Sequence, residues 1–111
     1  MQARFSYAIA FVADMDKAVA FHREVLGLTL RFASPFWSEF ATGDVTLALH
    51  PASAENPAGK VQLGFAVADV AKLYAARGAN GLDFSSPPRT EAGSLLARIF
   101  NSEGVEISLS S

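Results

Sequence analysis

Trp37 and Glu39 are a pair of residues whose types and spacing suit the binding of a ligand. They are two positions apart in a candidate strand, Phe36–Ala41, so strand alternation places both side chains on one face. An indole beside a carboxylate can hold a flat or cationic molecule through stacking and cation–π attraction. Aromatic residues of this kind also fill cores and subunit interfaces, and that alternative stays open.

Established catalytic motifs do not occur in the sequence. The chain has no cysteine, which excludes disulfides, thiolate metal ligands and cysteine nucleophiles. It contains no G-x-S-x-G nucleophile elbow, no G-x-x-x-x-G-K-[ST] phosphate-binding loop and no H-E-x-x-H zinc motif. Any function must therefore come from residues that the fold brings together.

The composition indicates one small domain with a partner subunit. The chain has 111 residues, half of them hydrophobic, including nine Phe. A chain of this size buries a modest fraction of its surface and often gains from oligomerisation. The net charge of −2 and the 18% of charged residues give no basic surface for nucleic acid and no Lys/Arg cluster for an anionic membrane. We expect a cytoplasmic protein without nucleic-acid or membrane partners.

Two stretches, "YAIAFVADM" and "VQLGFAVADV", share one pattern. Each alternates like a strand and ends in an Asp that can cap a helix, and Asp14 and Asp69 are each followed three residues later by Lys. Their offset of 55 residues is near half the chain length, which predicts duplication of one supersecondary unit. We therefore expect a single domain, 1–111, built from a first module, a linker and a second module at 1–52, 53–59 and 60–111.

Each module is predicted to have the order β-α-β-β-β. In the first module a helix follows Asp14 and ends at Gly27, and "TGD" at Thr42–Asp44 is a hairpin turn. The predicted strands of this module are Phe5–Val12, Thr29–Ala33, Phe36–Ala41 and Val45–His50. In the second module a helix covers Asp69–Arg77, "SSPPRTEAG" is a loop, and the predicted strands are Lys60–Ala68, Leu82–Ser85, Ser94–Phe100 and Val105–Leu109.

The element order and three segments resemble the vicinal oxygen chelate superfamily of glyoxalases, bleomycin-resistance proteins and extradiol dioxygenases. The segments are "AFHREVLGL" after "VADM", "FAVADV" after the linker, and "FNSEGVEISL" at the end. The resemblance covers essentially the whole chain. It implies an α+β fold in which two tandem βαβββ modules form a curved mixed sheet around a cavity, often in a homodimer.

In metal-using members of that superfamily, His, Gln or Glu ligands lie on the first and last strands of each module. The matching positions here are Tyr7, Ala48, Gln62 and Ser108. Divalent metals need several basic nitrogen or oxygen donors. Ala48 has none, Ser108 is a neutral hydroxyl, and a tyrosine phenol has an ordinary pKa of about 10. The sequence therefore predicts no metal at these positions and no other cofactor.

His50 and Glu106 are the remaining candidates for acid–base chemistry. Each lies two residues from a matched position, so both are expected on the cavity side of their strands. They could form a displaced two-ligand metal site or an acid–base pair. Both also lie near strand ends, where polar residues commonly meet solvent, and this alternative stays open. His22 lies on the apolar stripe of the first helix and is expected to be a core or boundary residue.

Strand alternation predicts that one wall of the expected cavity is lined by aromatic side chains and the other by small side chains. Phe5, Tyr7 and Phe11 face inward from the first strand, and Gln62 and Gly64 face inward from the strand that opens the second module. Small residues leave volume and aromatic residues offer flat apolar surface, which suits an organic ligand. The candidate ligand-binding residues are Tyr7, Phe5, Phe11, Trp37, Glu39, His50, Gln62, Glu106 and Ser108, with no catalytic or metal-binding residue assigned.

These observations favour a metal-free, homodimeric protein that binds a small organic ligand. It would sequester an aromatic or cationic compound such as an antibiotic. The alternative is an enzyme of lyase, isomerase or dioxygenase type with a non-standard metal or acid–base site. A third interpretation is a structural dimer whose cavity is filled by its own aromatic residues.

Overall fold

The computed structural model describes all residues from Met1 to Ser111 and contains eight strands and two α-helices. The chain divides into two compact units. The first unit is Ser6–Gln62, and the second unit is Met1–Phe5 together with Leu63–Ser111. The element order β-α-β-β-β occurs twice along the chain. This confirms the predicted α+β class and its two βαβββ repeats.

The first repeat is a four-stranded mixed sheet with one helix. Its strands are arranged in the order β2-β3-β4-β1, with β1 parallel to β4 and the other pairs antiparallel. A parallel pair requires a long crossover, and the helix and two further strands supply it here. The elements are β1 (Arg4–Val12), α1 (Met15–Ala20), β2 (Thr29–Phe32), β3 (Ser38–Thr42) and β4 (Val45–Pro51).

The second repeat has the same design, with strands in the order β5-β8-β7-β6 and β5 parallel to β8. Its core is a cluster of aliphatic residues that includes Val67, Val70 and Leu109, with Phe65 and Leu73 packed against it. The elements are β5 (Val61–Ala66), α2 (Val70–Ala75), β6 (Arg89–Glu91), β7 (Ser94–Phe100) and β8 (Glu106–Ser110).

Both α-helices begin at the predicted aspartates. The Asp14 carboxylate accepts a hydrogen bond from the Lys17 backbone N–H at 3.1 Å, and Asp69 accepts one from Lys72 at 3.0 Å. Each carboxylate satisfies a donor that the first turn leaves free. Neither helix exceeds six residues, and no helix has the length and apolar character needed to cross a membrane.

The segment after α1 is a π-helical turn, Phe21–Val25, rather than a continuation of the α-helix. The Leu26 N–H donates to the Phe21 carbonyl at 3.2 Å, five residues back. Gly27 then ends the helical segment with φ of 69°, as its sequence position predicts. His22 packs against the buried Phe40 with ring centroids 5.7 Å apart, which confirms it as a core or boundary residue.

The predicted strand Leu82–Ser85 is reduced to a single bridge in the structure, and the predicted loop after it contains a strand. Only Phe84 makes an isolated bridge, to Ile99, whereas Arg89–Glu91 within the predicted loop forms strand β6. Pro87 and Pro88 have no backbone N–H, so ladder pairing begins only after them. A two-residue turn then returns the chain from β6 into β7.

Candidate functional site

The two faces of the first unit's sheet have different neighbours. Ser38 donates to the Met15 sulfur at 3.3 Å, and Phe40 contacts His22, so these β3 residues face the helical segment. Trp37 and Glu39 alternate with them and therefore point to the opposite face. We call that opposite face, formed by Tyr7, Arg31, Trp37, Glu39 and His50, the aromatic face.

Glu39 is the buried centre of the aromatic face. Its side chain is 11% exposed. The Trp37 indole Nε1–H donates to its Oε2 at 2.7 Å, and Arg31 Nη1 donates to its Oε1 at 2.9 Å. A buried carboxylate needs such donors, because its desolvation is otherwise costly. The sequence prediction that Trp37 and Glu39 share a face is confirmed, and the two side chains are bonded to each other.

Arg31 reaches Glu39 from a β-bulge in the edge strand β2. Leu30 pairs with Phe40, and Phe32 pairs with Glu39, so Arg31 is the extra residue between two successive pairs. A bulge re-aims the side chain that it carries. Arg31 Nη1 also donates to the Thr46 hydroxyl on β4 at 3.1 Å, so the guanidinium spans the face from β2 to β4.

Tyr7 brings a phenol to the same face from β1. Its ring lies 6.2 Å from the Trp37 ring, measured between centroids. Burial raises the pKa of the Tyr7 phenol, the negative charge of Glu39 and a hydrogen bond to that carboxylate raise it further, and Arg31 acts in the opposite direction. The phenol is therefore held in its neutral, hydrogen-bond-donating form at physiological pH.

His50 closes the aromatic face at the end of β4. Its ring meets Trp37 edge-on, with centroids 6.1 Å apart and an interplanar angle of 85°, and lies 5.3 Å from the Phe11 ring. His50 Nδ1 is 2.8 Å from the Pro51 carbonyl oxygen. A carbonyl can only accept, so Nδ1 must carry the proton in that contact. In the neutral imidazole, Nε2 is then the acceptor.

A small buried cluster supports the aromatic face. Ile9, Phe11 and Ala48 form this cluster, and Tyr7 and Trp37 pack against it. Phe11 is only 4% exposed, so it supports the His50 ring and offers little surface of its own. Gln62 is also buried. Within the aromatic face, Tyr7, Trp37 and His50 are half-buried and Arg31 is exposed, so these four side chains present its accessible surface.

Three of the sequence-predicted site residues belong to the second unit. The exposed Phe5 ring packs against Phe65 with centroids 5.6 Å apart. Glu106 accepts a hydrogen bond from the Ser85 hydroxyl at 2.7 Å. Ser108 is half-buried and lies opposite Arg98 in the pairing of β7 with β8. None of these three residues contacts an ion-pair partner.

The residues at the matched metal-ligand positions do not fit a divalent metal. Ala48 has no donor and lies directly opposite Glu39 in the β3–β4 ladder. The raised pKa of Tyr7 disfavours the phenolate that would bind a metal. Nowhere does the structure gather three or more His, Cys, Asp or Glu side chains in a group that could hold an ion. The matched positions therefore do not form a divalent-metal site.

A shallow groove of about 240 Å³ lies elsewhere in the first unit, against α1. Its lining residues are Met15, Asp16, Val19, Ala33, Ser34 and Pro35. Met15 contacts Ser38, which places the groove beside the helix-facing side of β3. The groove has one carboxylate and no aromatic ring. The aromatic face offers three rings, a carboxylate and a guanidinium, and so has more groups that can contact a ligand.

Sequence reasoning missed Arg31 and Thr46. Arg31 lies on the aromatic face because of the bulge in β2, and Thr46 contacts Arg31 because of the register of β3 against β4. One signal was present in the sequence: Arg31 lies between Leu30 and Phe32 in the short strand "TLRF". A charged residue in such a strand needs a partner or solvent, and Glu39 is that partner.

Comparisons with known proteins place these observations in a family. The family model described as the Glyoxalase/Bleomycin resistance protein/Dioxygenase superfamily matches residues 4–109. No curated protein sequence matches the chain.

Solved structures share the fold at low sequence identity. A hypothetical protein from Bacillus halodurans C-125 superposes with a TM-score of 0.81 at 14% identity, covering 99% of this chain and 94% of that one. Methylmalonyl-CoA epimerase from Streptomyces coelicolor gives a TM-score of 0.77 at 20% identity, with coverages of 96% and 95%. The Mycobacterium tuberculosis epimerase gives 0.78 at 18%, with coverages of 96% and 86%. Likeness at these identities establishes the fold and not the activity.

Proposed function

Because the chain belongs to the Glyoxalase/Bleomycin resistance protein/Dioxygenase superfamily, we propose that it binds a small organic molecule with a flat apolar part. Binding uses the aromatic face and no metal ion. The protein acts as a cytoplasmic homodimer and sequesters its ligand, which is an aromatic compound such as an antibiotic. Mechanistically, this is binding rather than bond chemistry.

One observation carries the proposal: three half-buried rings lie next to one another, and the central ring, Trp37, is bonded to a carboxylate inside the protein. Trp37 lies beside both Tyr7 and His50, at centroid distances of 6.2 and 6.1 Å. Trp37 is also held by its bond to Glu39, which limits the entropy lost when a ligand stacks on it. A rigid aromatic surface of this kind is a common way to hold a flat molecule.

The expected affinity is modest. Covering about 200 Å² of apolar surface contributes about 5 kcal/mol at 25 cal/mol per Å². Losing the translational and rotational freedom of the ligand opposes this gain. A simple aromatic probe should therefore bind at high micromolar to millimolar concentration, and a larger natural ligand more tightly.

The proposal is tested with 2-naphthamide, a neutral flat probe. The chain has a single Trp, so one indole N–H signal in a nitrogen–proton correlation spectrum reports on Trp37. We expect a saturable shift of that signal, and weaker binding in the His50→Ala variant. Phe36→Ala is the matched control, because Phe36 is 77% exposed and makes no ring contact. The absence of any saturable shift, or an equal loss in both variants, would overturn the proposal.

Sequestration also predicts that the bound compound is recovered unchanged. After long incubation with stoichiometric protein, mass spectrometry should return the probe intact and at its original amount. A product that accumulates beyond one equivalent of protein would show catalysis instead.

An acid–base enzyme is the second candidate, and the His50 hydrogen bond favours it. With Nδ1–H donating to Pro51, the Nε2 of His50 is available as a general base. Because methylmalonyl-CoA epimerases share the fold, methylmalonyl-CoA is the first substrate to try. Deuterium uptake at its α-carbon in D₂O, lost in His50→Gln, would support this function. Elemental analysis of protein purified without added metal would reveal a stoichiometric ion if the enzyme uses one.

A further inference from the structure

The β-bulge in β2 places the guanidinium of Arg31 on the aromatic face. We propose that Arg31 is the anion-binding residue of the aromatic face, so that the ligand carries a carboxylate beside its flat apolar part. This inference rests on the proposed function, because it names the class of ligand that the same face takes.

The placement of Arg31 depends on an irregularity of the sheet. From the pair Leu30–Phe40 to the pair Phe32–Glu39, the chain moves two residues along β2 but only one residue along β3. Bulges interrupt ladder pairing, and they recur where a side chain must be re-aimed next to a functional site. Here the re-aimed side chain is the one cation of the aromatic face.

The internal bonds of Arg31 leave its guanidinium partly free. Both bonds, to Glu39 Oε1 at 2.9 Å and to Thr46 Oγ1 at 3.1 Å, use Nη1. The Nε and Nη2 groups lie along another edge of the planar guanidinium and can donate two parallel hydrogen bonds to one carboxylate. Glu39 and Thr46 therefore fix the orientation of the fork and leave an edge for a ligand.

A ligand that approaches the aromatic face reaches the positive charge of Arg31 more readily than the negative charge of Glu39, because Arg31 is more exposed. The side chain of Arg31 is 45% exposed, whereas that of Glu39 is 11% exposed. Both Glu39 oxygens already accept hydrogen bonds, one from Trp37 and one from Arg31. A cationic ligand would have to displace Arg31 to pair with Glu39. An anionic ligand can pair with the exposed Arg31 without displacing any side chain. This face therefore favours a carboxylate over an ammonium group.

The test compares three probes of the same shape: 2-naphthoate, 2-naphthamide and 2-naphthylmethylamine, followed by the Trp37 indole signal. We expect naphthoate to bind about tenfold more tightly than naphthamide, since a hydrogen bond to a charged group contributes more than a neutral one. The amine should bind most weakly. Added salt should weaken naphthoate binding and leave naphthamide binding unchanged.

Variants assign the preference to Arg31. In Arg31→Gln the ratio of naphthamide to naphthoate dissociation constants should fall to about one, because the variant weakens naphthoate binding more than naphthamide binding. Arg31→Lys should keep part of the preference, because it retains the charge and loses the fork, and it also serves if Arg31→Gln fails to fold. Arg89→Gln is the matched control, since Arg89 forms an exposed ion pair with Glu91 in the second unit.

Each outcome separates the two proposals. If naphthamide binds as tightly as naphthoate, or the amine binds most tightly, the anion-binding role falls and the proposed function stands. If Arg31→Gln weakens naphthamide and naphthoate equally, Arg31 has only a structural role. If none of the three probes binds, the proposed function falls and this inference falls with it.

Discussion

Glu39 is the residue on which the polar contacts of the aromatic face depend. Its carboxylate accepts hydrogen bonds from Trp37 and Arg31, and its removal leaves an indole N–H and a guanidinium without their acceptor. Hydrogen bonds to charged groups contribute about 1.5–3 kcal/mol. We expect Glu39→Ala to lower the free energy of unfolding by about 2 kcal/mol, measured by urea denaturation.

Glu91→Ala is the control for that measurement. Glu91 also pairs with an arginine, Arg89, at 3.0 Å, but both side chains are more than half exposed. Exposed pairs contribute little because of solvent screening and side-chain entropy, so the change should stay within about 0.5 kcal/mol. Equal losses for the two variants would contradict the role assigned to burial at Glu39.

The raised pKa of Tyr7 predicts a decline of stability at alkaline pH. An unfolded tyrosine ionises at about pH 10, whereas in the folded protein burial and the Glu39 charge keep Tyr7 protonated to higher pH. The unfolded state then binds fewer protons than the folded state, so stability is fully present below about pH 10 and falls as pH rises through the raised pKa. Tyr7→Phe should remove this part of the decline.

Absorbance at the tyrosinate band gives the direct measurement. The chain has two tyrosines, and subtracting the titration of Tyr7→Phe from that of the native protein isolates Tyr7. The difference curve should have its midpoint above the ordinary value, and Glu39→Gln should lower that midpoint. A midpoint at or below the ordinary value would contradict the assigned causes.

At the residue scale, the sequence predicted which side chains share a face of one strand. It did not predict contacts between strands, because these depend on strand register. Trp37 and Glu39 share a face because they are two residues apart in one strand, and their bond follows. Arg31 joins them across two strands, and its position depends on where the bulge falls. The bulge arises from how β2 packs against β3. The sequence of β2 alone does not specify where it falls.

At the element scale, boundaries with a local chemical cause were predictable. The caps at Asp14 and Asp69 and the hairpin at Thr42–Asp44 each depend on side chains or glycine φ angles within a few residues. Strand β6 was not predictable in this way. It has three exposed residues and exists only because β7 offers it a partner edge.

The turn between β6 and β7 contains a strained residue. Ala92 has φ of 50° and is the only non-glycine residue with positive φ, and Gly93 follows with φ of 82°. An L-residue with a Cβ is disfavoured in this region, whereas Asn-Gly is the preferred pair for such two-residue turns. We expect Ala92→Asn to raise the free energy of unfolding by about 0.5–1 kcal/mol.

Ala54→Asn is the matched control for the turn, since Ala54 is also exposed in a loop and does not have positive φ. Its effect should be near zero. Chemical denaturation of both variants gives the comparison. No gain in Ala92→Asn, or an equal gain in Ala54→Asn, would mean that the turn conformation does not limit stability.

At the scale of the whole molecule, one element order is used twice and the two copies are chemically different. The first unit has three rings, a carboxylate and a guanidinium on the face away from its helix. In the second unit Gly64, Ser108 and Arg98 occupy the register positions that Ile9, Ala48 and Glu39 have in the first. Fold class was therefore predictable from the repeat, whereas the division of chemistry follows from individual residues.

The homodimer expected from chain length remains a prediction, and the surface supports it. Eleven large hydrophobic side chains are exposed, including Phe36 at 77% and Val25 at 69%. Single exposed apolar residues are ordinary, but this many on a chain of 111 residues leave apolar area that a partner subunit would remove from water. We propose that two copies associate mainly through apolar contacts.

Sedimentation equilibrium measures this directly. We expect a mass of twice the 11.8 kDa chain. The dimer should dissociate only below about 1 µM, which corresponds to a free energy of association of about 8 kcal/mol. Because apolar burial does not depend on ion pairing, added sodium chloride should leave the dissociation constant nearly unchanged, whereas an interface built on charge pairs would weaken. A mass of one chain at every concentration would show that the exposed apolar side chains serve some role other than dimerisation.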